Sequence, residues 1–594
     1  MRGIGEHRIT VPLADAVGEP TRRRLTHLLA HAAGLFHEHS RPDRRSHIGV
    51  DSACAAERPW LLERQDLGPA LGPFDPNSAL MLASDEVSSA GCAVLTRAGA
   101  TPTPIAAPDR LSARDIASLW KLYGRFDRAG AVGDRLGASL VVGDFDGDGV
   151  DDFATGAPAE DGLGAVYLFK GTDTVPVPWT RIDARRLKAT KVDARFGEQL
   201  ASGDFDGDGN DDLAVGVPGY DDGRGAVALF YGRPGIGLMP RQWMHMGHAG
   251  FPKEQPGAAM GAALAAGDFD GDGKDDLAVG LPGARRHQTS NRSGAITLFH
   301  GAAIELARGR PVFEDQLGGS LEDGDAFGAA LASGRFDHDD RDDLAIGVPL
   351  GRDPSTGSRA GGVYLMLGSE RGPQRWRRLA PPGIAAEGHG KFGAAVAVGE
   401  LSRTARSSIL VGAPRLQASG IPGVGAAYLF EPSGGSNSGQ PFVLARSFDP
   451  VDYGEAERHA GFGNRTALAD IDGDGATDAV LAAAARTLGG DRFASGQLYV
   501  FTQTASGFSP WRRFRQRTRG AGAEFASSLA TLVRGRRDGA ALLAGAPGDG
   551  AGVVELIVRP ATDGAGPAYP RRTLSRSHRW TPADDGLPLS APPD

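Results

Sequence analysis

The reading turns on Asp144-Phe145-Asp146-Gly147-Asp148-Gly149-Val150-Asp151-Asp152. Near-copies begin at Asp204 (Asp-Phe-Asp-Gly-Asp-Gly-Asn-Asp-Asp), Asp268 (Asp-Phe-Asp-Gly-Asp-Gly-Lys-Asp-Asp), Arg335 (Arg-Phe-Asp-His-Asp-Asp-Arg-Asp-Asp) and Asp470 (Asp-Ile-Asp-Gly-Asp-Gly-Ala-Thr-Asp). The first steps are 60, 64 and 67 residues; the last, 135, is about two periods and places a further unit near residue 400. Such a period marks a repeat architecture, in which each unit buries its apolar face only against its neighbours.

Working outward, the flanks repeat even where the acidic loop has decayed. Eight residues upstream comes a bulky residue followed by Gly: Leu136-Gly137, Phe196-Gly197, Met260-Gly261, Phe327-Gly328, Phe392-Gly393 and Phe462-Gly463, with Phe525-Ala526 as a degenerate seventh. Downstream comes Gly-x-Pro, as at Gly156-Ala157-Pro158 and Gly412-Ala413-Pro414, and then a strand-like run such as Gly164-Ala165-Val166-Tyr167-Leu168-Phe169. Each unit reads as four short strands: a small-residue strand before the loop, an apolar one after it, the Gly-Ala-Val strand, and a variable outer strand. Seven such units predict a closed radial propeller over residues 126–580, with small residues crowding its axis. The outermost strand of the last unit is expected from 561–580, and the Pro-rich 581–594 reads as a disordered tail.

Composition agrees with this mainly β reading. Gly is 87 of 594 residues and aromatics are 7%, which suits many tight turns and excludes a chain of long helices. There is no Gly-X-Y period, so collagen is excluded. No apolar run approaches the ~18 residues of a membrane-crossing helix. Of the 73 acidic residues, 24 are Asp in the five loops; without them the 64 basic residues give a balance of +15 instead of −9. A mildly basic body with concentrated acidic loops points to bound cations.

The units resemble FG-GAP repeats, the blades of the integrin-α-type seven-bladed β-propeller. Asp at loop positions 1, 3, 5 and 9 with Gly at 6 suits calcium, a hard cation that takes six to eight oxygens. The expected carboxylates are Asp144, Asp146, Asp148 and Asp152, with the Val150 carbonyl adding an oxygen. The corresponding sets are Asp204, Asp206, Asp208, Asp212; Asp268, Asp270, Asp272, Asp276; and Asp470, Asp472, Asp474, Asp478. That makes about four calcium sites, structural and not catalytic. The spacing matches the start of an EF-hand loop but lacks its Glu at position 12 and its flanking helices. In the fourth loop Arg335 replaces the first ligand and Asp340 the Gly, so an internal Arg–carboxylate pair is expected. Units five and seven carry no ligand pattern.

Residues 1–125 lack the period and are expected to form a small, mostly α piece. His27, His31 and His37 lie in His-Leu-Leu-Ala-His-Ala-Ala-Gly-Leu-Phe-His, followed by Glu38-His39-Ser40-Arg41-Pro42-Asp43. Histidines at i and i+4 share a helix face, and Gly34 permits a turn that returns His37. Three imidazoles would leave an open tetrahedral position on zinc. The stretch resembles the astacin family of metzincin peptidases, as do Phe74–Leu82, like its Met-turn, and Leu111–Gly124, like its closing helix. Where the family has its general-base Glu, Leu28 stands; Leu80 and Leu82 replace the Met and Tyr of the Met-turn. An aliphatic side chain accepts no proton, and losing a general base typically costs about 10²–10⁴-fold. The piece therefore reads as a non-catalytic zinc-site remnant.

Cys54 and Cys92 leave open one disulfide or two thiols. Met1 to His7 lacks the basic and apolar regions of a signal peptide, so the reading is either a cytosolic chain or a frame that starts late. No phosphate-binding fingerprint or nucleophile elbow is found. Basic runs at Arg375–Arg378, Trp511–Arg519 and Arg571–Arg579 read as solvated outer faces, and no nucleic-acid partner is expected. The favoured expectation is a monomeric, secreted or cell-surface binding propeller with a protein or glycan ligand. The alternative is an exported zinc endopeptidase with the propeller as its targeting module.

Overall fold

Small residues set how closely strands can gather round an axis. In the computed structural model several repeats open on a short strand rich in such residues, as in Leu200–Gly203 (Leu-Ala-Ser-Gly) and Ala330–Gly334 (Ala-Leu-Ala-Ser-Gly). The structure describes residues 133–574 apart from short segments, together with the paired strands Ile48–Val50 and Leu95–Arg97. The three histidines, the expected α character of the N-terminal piece and the tail lie outside the described residues. Contacts divide the chain into two units, Met1–Arg125 and Phe126–Asp594.

Among the described residues the second unit forms seven antiparallel four-stranded sheets, each in simple chain order. Blade 1 runs Leu140–Gly143, Asp152–Ala157, Ala165–Lys170 and Val177–Asp183. Blade 2 runs Leu200–Gly203, Asp212–Gly216, Ala226–Tyr231 and Met239–His245. Blades 3 to 7 follow over 263–312, 330–379, 395–448, 462–515 and 528–574. The last outer strand is Arg571–Leu574, paired with Val553–Ile557, within the stretch the sequence assigned to it.

The opening strands touch one another in turn, and that of blade 7 touches that of blade 1. The ring is closed. Closure uses the same hydrogen bond as an ordinary seam: Ser528 Oγ donates to the Gly137 carbonyl at 2.7 Å, as Ser139 Oγ does to Gly197 at 2.7 Å. The core lies between the blades. Each hydrophobic cluster unites two neighbours, for example Val166, Phe196 and Phe230 of blades 1 and 2, or Phe153, Tyr167 and Leu543 across the closing seam. Because the strands alternate in direction, the loops after the first and third strands of every blade share one rim. The loops after the second and fourth share the other.

Candidate metal centres on the blade loops

The acidic loops follow the first strand of blades 1, 2, 3, 4 and 6. Asp144 shapes its own loop: Oδ1 accepts the Asp148 N–H at 3.1 Å and Oδ2 the Gly149 N–H at 2.8 Å. Asp204, Asp268 and Asp470 likewise accept the N–H of Gly209, Gly273 and Gly475. The turn needs left-handed backbone at positions 4 and 6, where Gly147 and Gly149 sit at φ +67° and +82°. Glycine carries that conformation without steric cost. Asp148, at position 5, accepts the N–H of Val150 at 2.9 Å.

The ninth carboxylate is the deepest. Asp152 accepts the N–H of Phe145 through one oxygen and that of Gly171, just after the third strand, through the other. Asp212, Asp343 and Asp478 repeat this pair of bonds with their own blades' residues. Burial pushes the Asp152 carboxyl up to about 7, with repulsion from Asp146 adding and the Gly171 N–H opposing. Asp212 is pushed up to about 8 and Asp478 to about 7, burial again the main cause.

These placements bring carboxylate oxygens together. Asp144, Asp146 and Asp152, then Asp204, Asp206 and Asp212, then Asp268, Asp270 and Asp272 each offer oxygens within 4.8 Å of one another. The test of fit is the third-position carboxylate: Asp146 Oδ1 and Asp206 Oδ1 are buried without a hydrogen-bond partner. A buried orphaned carboxylate oxygen costs free energy unless a cation or donor meets it. An all-oxygen set suits calcium. In the fourth loop the sequence anticipated an Arg–carboxylate pair, and Arg341 lies 3.2 Å from Asp339 while Arg335 reaches Asp342 at 3.9 Å. Yet Asp337, Asp339 and Asp343 still converge within 4.8 Å, a grouping the lost glycine had argued against.

Two features of the loops were not read from the sequence. A basic side chain at the end of the third strand or just past it enters three of the clusters: Lys170 contacts Asp146 and Asp148, Arg233 contacts Asp206 and Asp208, and His300 Nδ1 lies 3.0 Å from Asp270 and 3.3 Å from Asp276. The eighth loop residue also proves to be a staple between blades. Asp211, Asp275 and Asp342 each accept the N–H of the first residue of the preceding loop, namely Asp144, Asp204 and Asp268. The doubled Asp-Asp that ends four of the five motifs was the available signal: adjacent residues of an extended segment point to opposite sides.

Comparison with known families fits this geometry. Residues 136–169, 196–230 and 260–299 match the FG-GAP repeat, and residues 22–124 match the Astacin peptidase family. Integrin alpha-PS2 of Drosophila melanogaster is 31% identical over 225 residues, covering 36% of this chain and 15% of that protein. Integrin alpha-4 of Xenopus laevis is 33% identical over 156 residues, 25% of this chain and 14% of the other. Phosphatidylinositol-glycan-specific phospholipase D of Rattus norvegicus is 34% identical over 187 residues, 30% of this chain and 21% of that one. The chain thus spans a minor part of the curated relatives it matches.

The propeller carries FG-GAP repeats in its first three blades. Its Phe-Gly pairs join each blade to the one before. Gly164 forms a parallel bridge with Phe196, Gly225 with Met260, Gly294 with Phe327, Gly361 with Phe392 and Gly425 with Phe462. The Gly of each Gly-x-Pro then abuts the Gly of the next pair, so that a Cβ on Gly156, Gly216 or Gly412 would overlap the carbonyl oxygen of Gly197, Gly261 or Gly463. The glycines of the FG-GAP signature are therefore seam residues, and the acidic loops hang from the rim that those seams align.

Proposed function

We propose that this chain is a calcium-stabilised recognition propeller working outside the cell, fused to a non-catalytic astacin-like piece. The observation that carries the reading is the repeated convergence of carboxylates with orphaned buried oxygens, Asp146 Oδ1 and Asp206 Oδ1. Asp144, Asp146, Asp148 and Asp152 would hold the ion in blade 1, with the equivalent sets in blades 2, 3 and 6. A bound cation would neutralise charges that otherwise repel one another, and would draw Asp152 and Asp212 back to the ionised state. Lys170, Arg233 and His300 act as internal counter-charges that the ion displaces. Sites of this kind in extracellular modules bind at about 10⁻⁴–10⁻³ M, so they fill only where calcium is millimolar. That favours a secreted or cell-surface setting and an extracellular protein or glycan ligand.

A second reading is an exported zinc endopeptidase that the propeller delivers to its substrate, favoured by the astacin match over residues 22–124. Leu28 argues against it, because it stands where the family's proton acceptor would be. Thermal melting of the full chain tests the first reading. About 2 mM calcium should stabilise it over chelated protein by about 0.6–1.8 kcal/mol per filled site. The gain should shrink in the triple variant Asp146→Ala, Asp206→Ala, Asp270→Ala. Equal melting with and without calcium would sink the proposal.

A further inference from the structure

On the rim opposite the acidic loops, blade 2 carries a cleft of about 360 Å³ whose walls include Tyr220, Asp221, Arg224, Trp243 and His245. That volume falls in the usual range for small-ligand sites, about 300–1,000 Å³. We propose that this cleft binds a neutral sugar unit of a glycan. The inference rests on the recognition role argued above and names the ligand class for it.

Blade-to-blade comparison shows how the cleft arises. In blades 1, 4 and 6 the third strand places a Tyr opposite an Arg of the outer strand: Tyr167 with Arg181, Tyr364 with Arg378, Tyr499 with Arg513. In blade 1 this corner is filled, because Glu160 accepts the Tyr167 hydroxyl at 2.8 Å and pairs with Arg181 at 2.8 Å. In blade 2 the same pair is Ala228 with Trp243, and Tyr220 takes the place of Glu160. Removing the phenol and the acid while adding an indole exchanges a closed ion-paired corner for an open aromatic one.

The polar groups at the cleft define its ligand. Arg224 Nη1 lies 3.1 Å from Asp221 Oδ2 and 3.4 Å from Asp222 Oδ2. The guanidinium is thus already matched in charge, which disfavours an anionic ligand. The cleft wall thus presents a carboxylate acceptor beside a guanidinium donor, the complement of neighbouring hydroxyls that both give and take hydrogen bonds. Tyr220 and Trp243 meet edge to face, centroids 5.0 Å apart, and supply the apolar surface for the C–H face of a pyranose ring. The turn that presents the acids is left-handed at Asp221 and Asp222, φ +53° and +60°, as it is at Asp161 beside the filled corner of blade 1, φ +51°; Asp tolerates this backbone, which belongs to the blade turn itself.

The test is binding of the full chain, in about 2 mM calcium, to a printed array of oligosaccharides ending in neutral hexoses, in N-acetylhexosamines, or in sialic acid or sulfate. Wild type should bind one or more neutral-ended probes, and Trp243→Ala and Asp221→Asn should each lower that affinity at least about tenfold. Both variants should keep the calcium-dependent melting shift of wild type. The proposal is overturned by binding to none of the neutral probes, by preference for sialylated or sulfated ones, or by neutral binding that survives both substitutions. Failure here with the melting shift intact leaves the calcium reading standing, whereas loss of the shift in wild type would remove that reading itself.

Discussion

Asp343 accepts the N–H of Phe336 and of Gly368 through its two carboxylate oxygens, although its loop has lost both the first ligand and the turn glycine. The ninth acid of each loop therefore belongs to the fold as well as to any ion, since it ties the first hairpin of a blade to the second. Burial without full compensation recurs at Glu314, where the carboxyl is pushed up to about 7 chiefly by desolvation. The Tyr364 hydroxyl, which donates to Oε1 at 2.9 Å, opposes that shift, as does Arg378, while Asp325 adds to it. A raised pKa means the native state holds the proton more tightly than the unfolded chain. The stability it contributes is complete below about 4.5 and is lost as pH climbs through about 7. Glu314→Gln keeps the acceptor for Tyr364 and removes the charge. At pH 5 the variant should melt close to wild type, and at pH 8 it should be more stable by on the order of 2–3 kcal/mol. The same difference at both pH values would show that Glu314 is not held neutral by its burial.

At the scale of the element, the seam between blades is where glycine matters. The Gly-to-Gly contact recurs around the ring, from Gly156 against Gly197 to Gly545 against Gly137 at the closing seam. The seam between blades 6 and 7 departs from it: the sixth blade has Ala482 where the fifth has Gly412, and the seventh begins with Ala526 where the sixth has Gly463. Ala526 adopts φ +61°, an unusual value for a residue with a Cβ, and both alanines are fully buried. That seam has thus exchanged both glycines at once, which follows if the two positions pack against each other. Gly412→Ala alone places a methyl group against the Gly463 carbonyl and should destabilise the chain by about 1–3 kcal/mol. Ala482→Gly, at the seam already adapted to the methyl groups, should cost no more than about 1 kcal/mol. Denaturant titration in calcium-containing buffer would compare them. A cost for Gly412→Ala no larger than that for Ala482→Gly would contradict the packing described.

Across the whole molecule, the ring was legible because its constraints are written every 60 to 70 residues: bulky-Gly, Asp loop, Gly-x-Pro and Gly-Ala-Val recur with little drift. Alternate residues of a tight loop point inward, and positions 1, 3 and 9 do converge in blades 1 and 2, whereas in blade 3 it is positions 1, 3 and 5. The contributions of Lys170, Arg233 and His300 could not be read in this way, since they arrive from the far end of the third strand and only the hairpin register brings them to the acids. The staple role of Asp211 and Asp275 is likewise a contact between blades, invisible to a reading that treats each repeat alone. The blade 2 cleft is hidden for a related reason: it comes from the cross-strand pairing of Ala228 with Trp243, not from any local motif. The histidines of the N-terminal piece lie outside the described residues, so their part of the account rests on the resemblance and on Leu28.

The central claim is that the propeller loops hold calcium, and the most direct measurement is equilibrium dialysis of the full chain at about 2 mM free calcium, with bound metal counted per chain by elemental mass spectrometry. The account predicts about four calcium ions per chain, one for each intact Asp loop in blades 1, 2, 3 and 6. Fewer than about two, with the protein folded, would contradict it and leave Lys170, Arg233 and His300 as the permanent partners of those carboxylates.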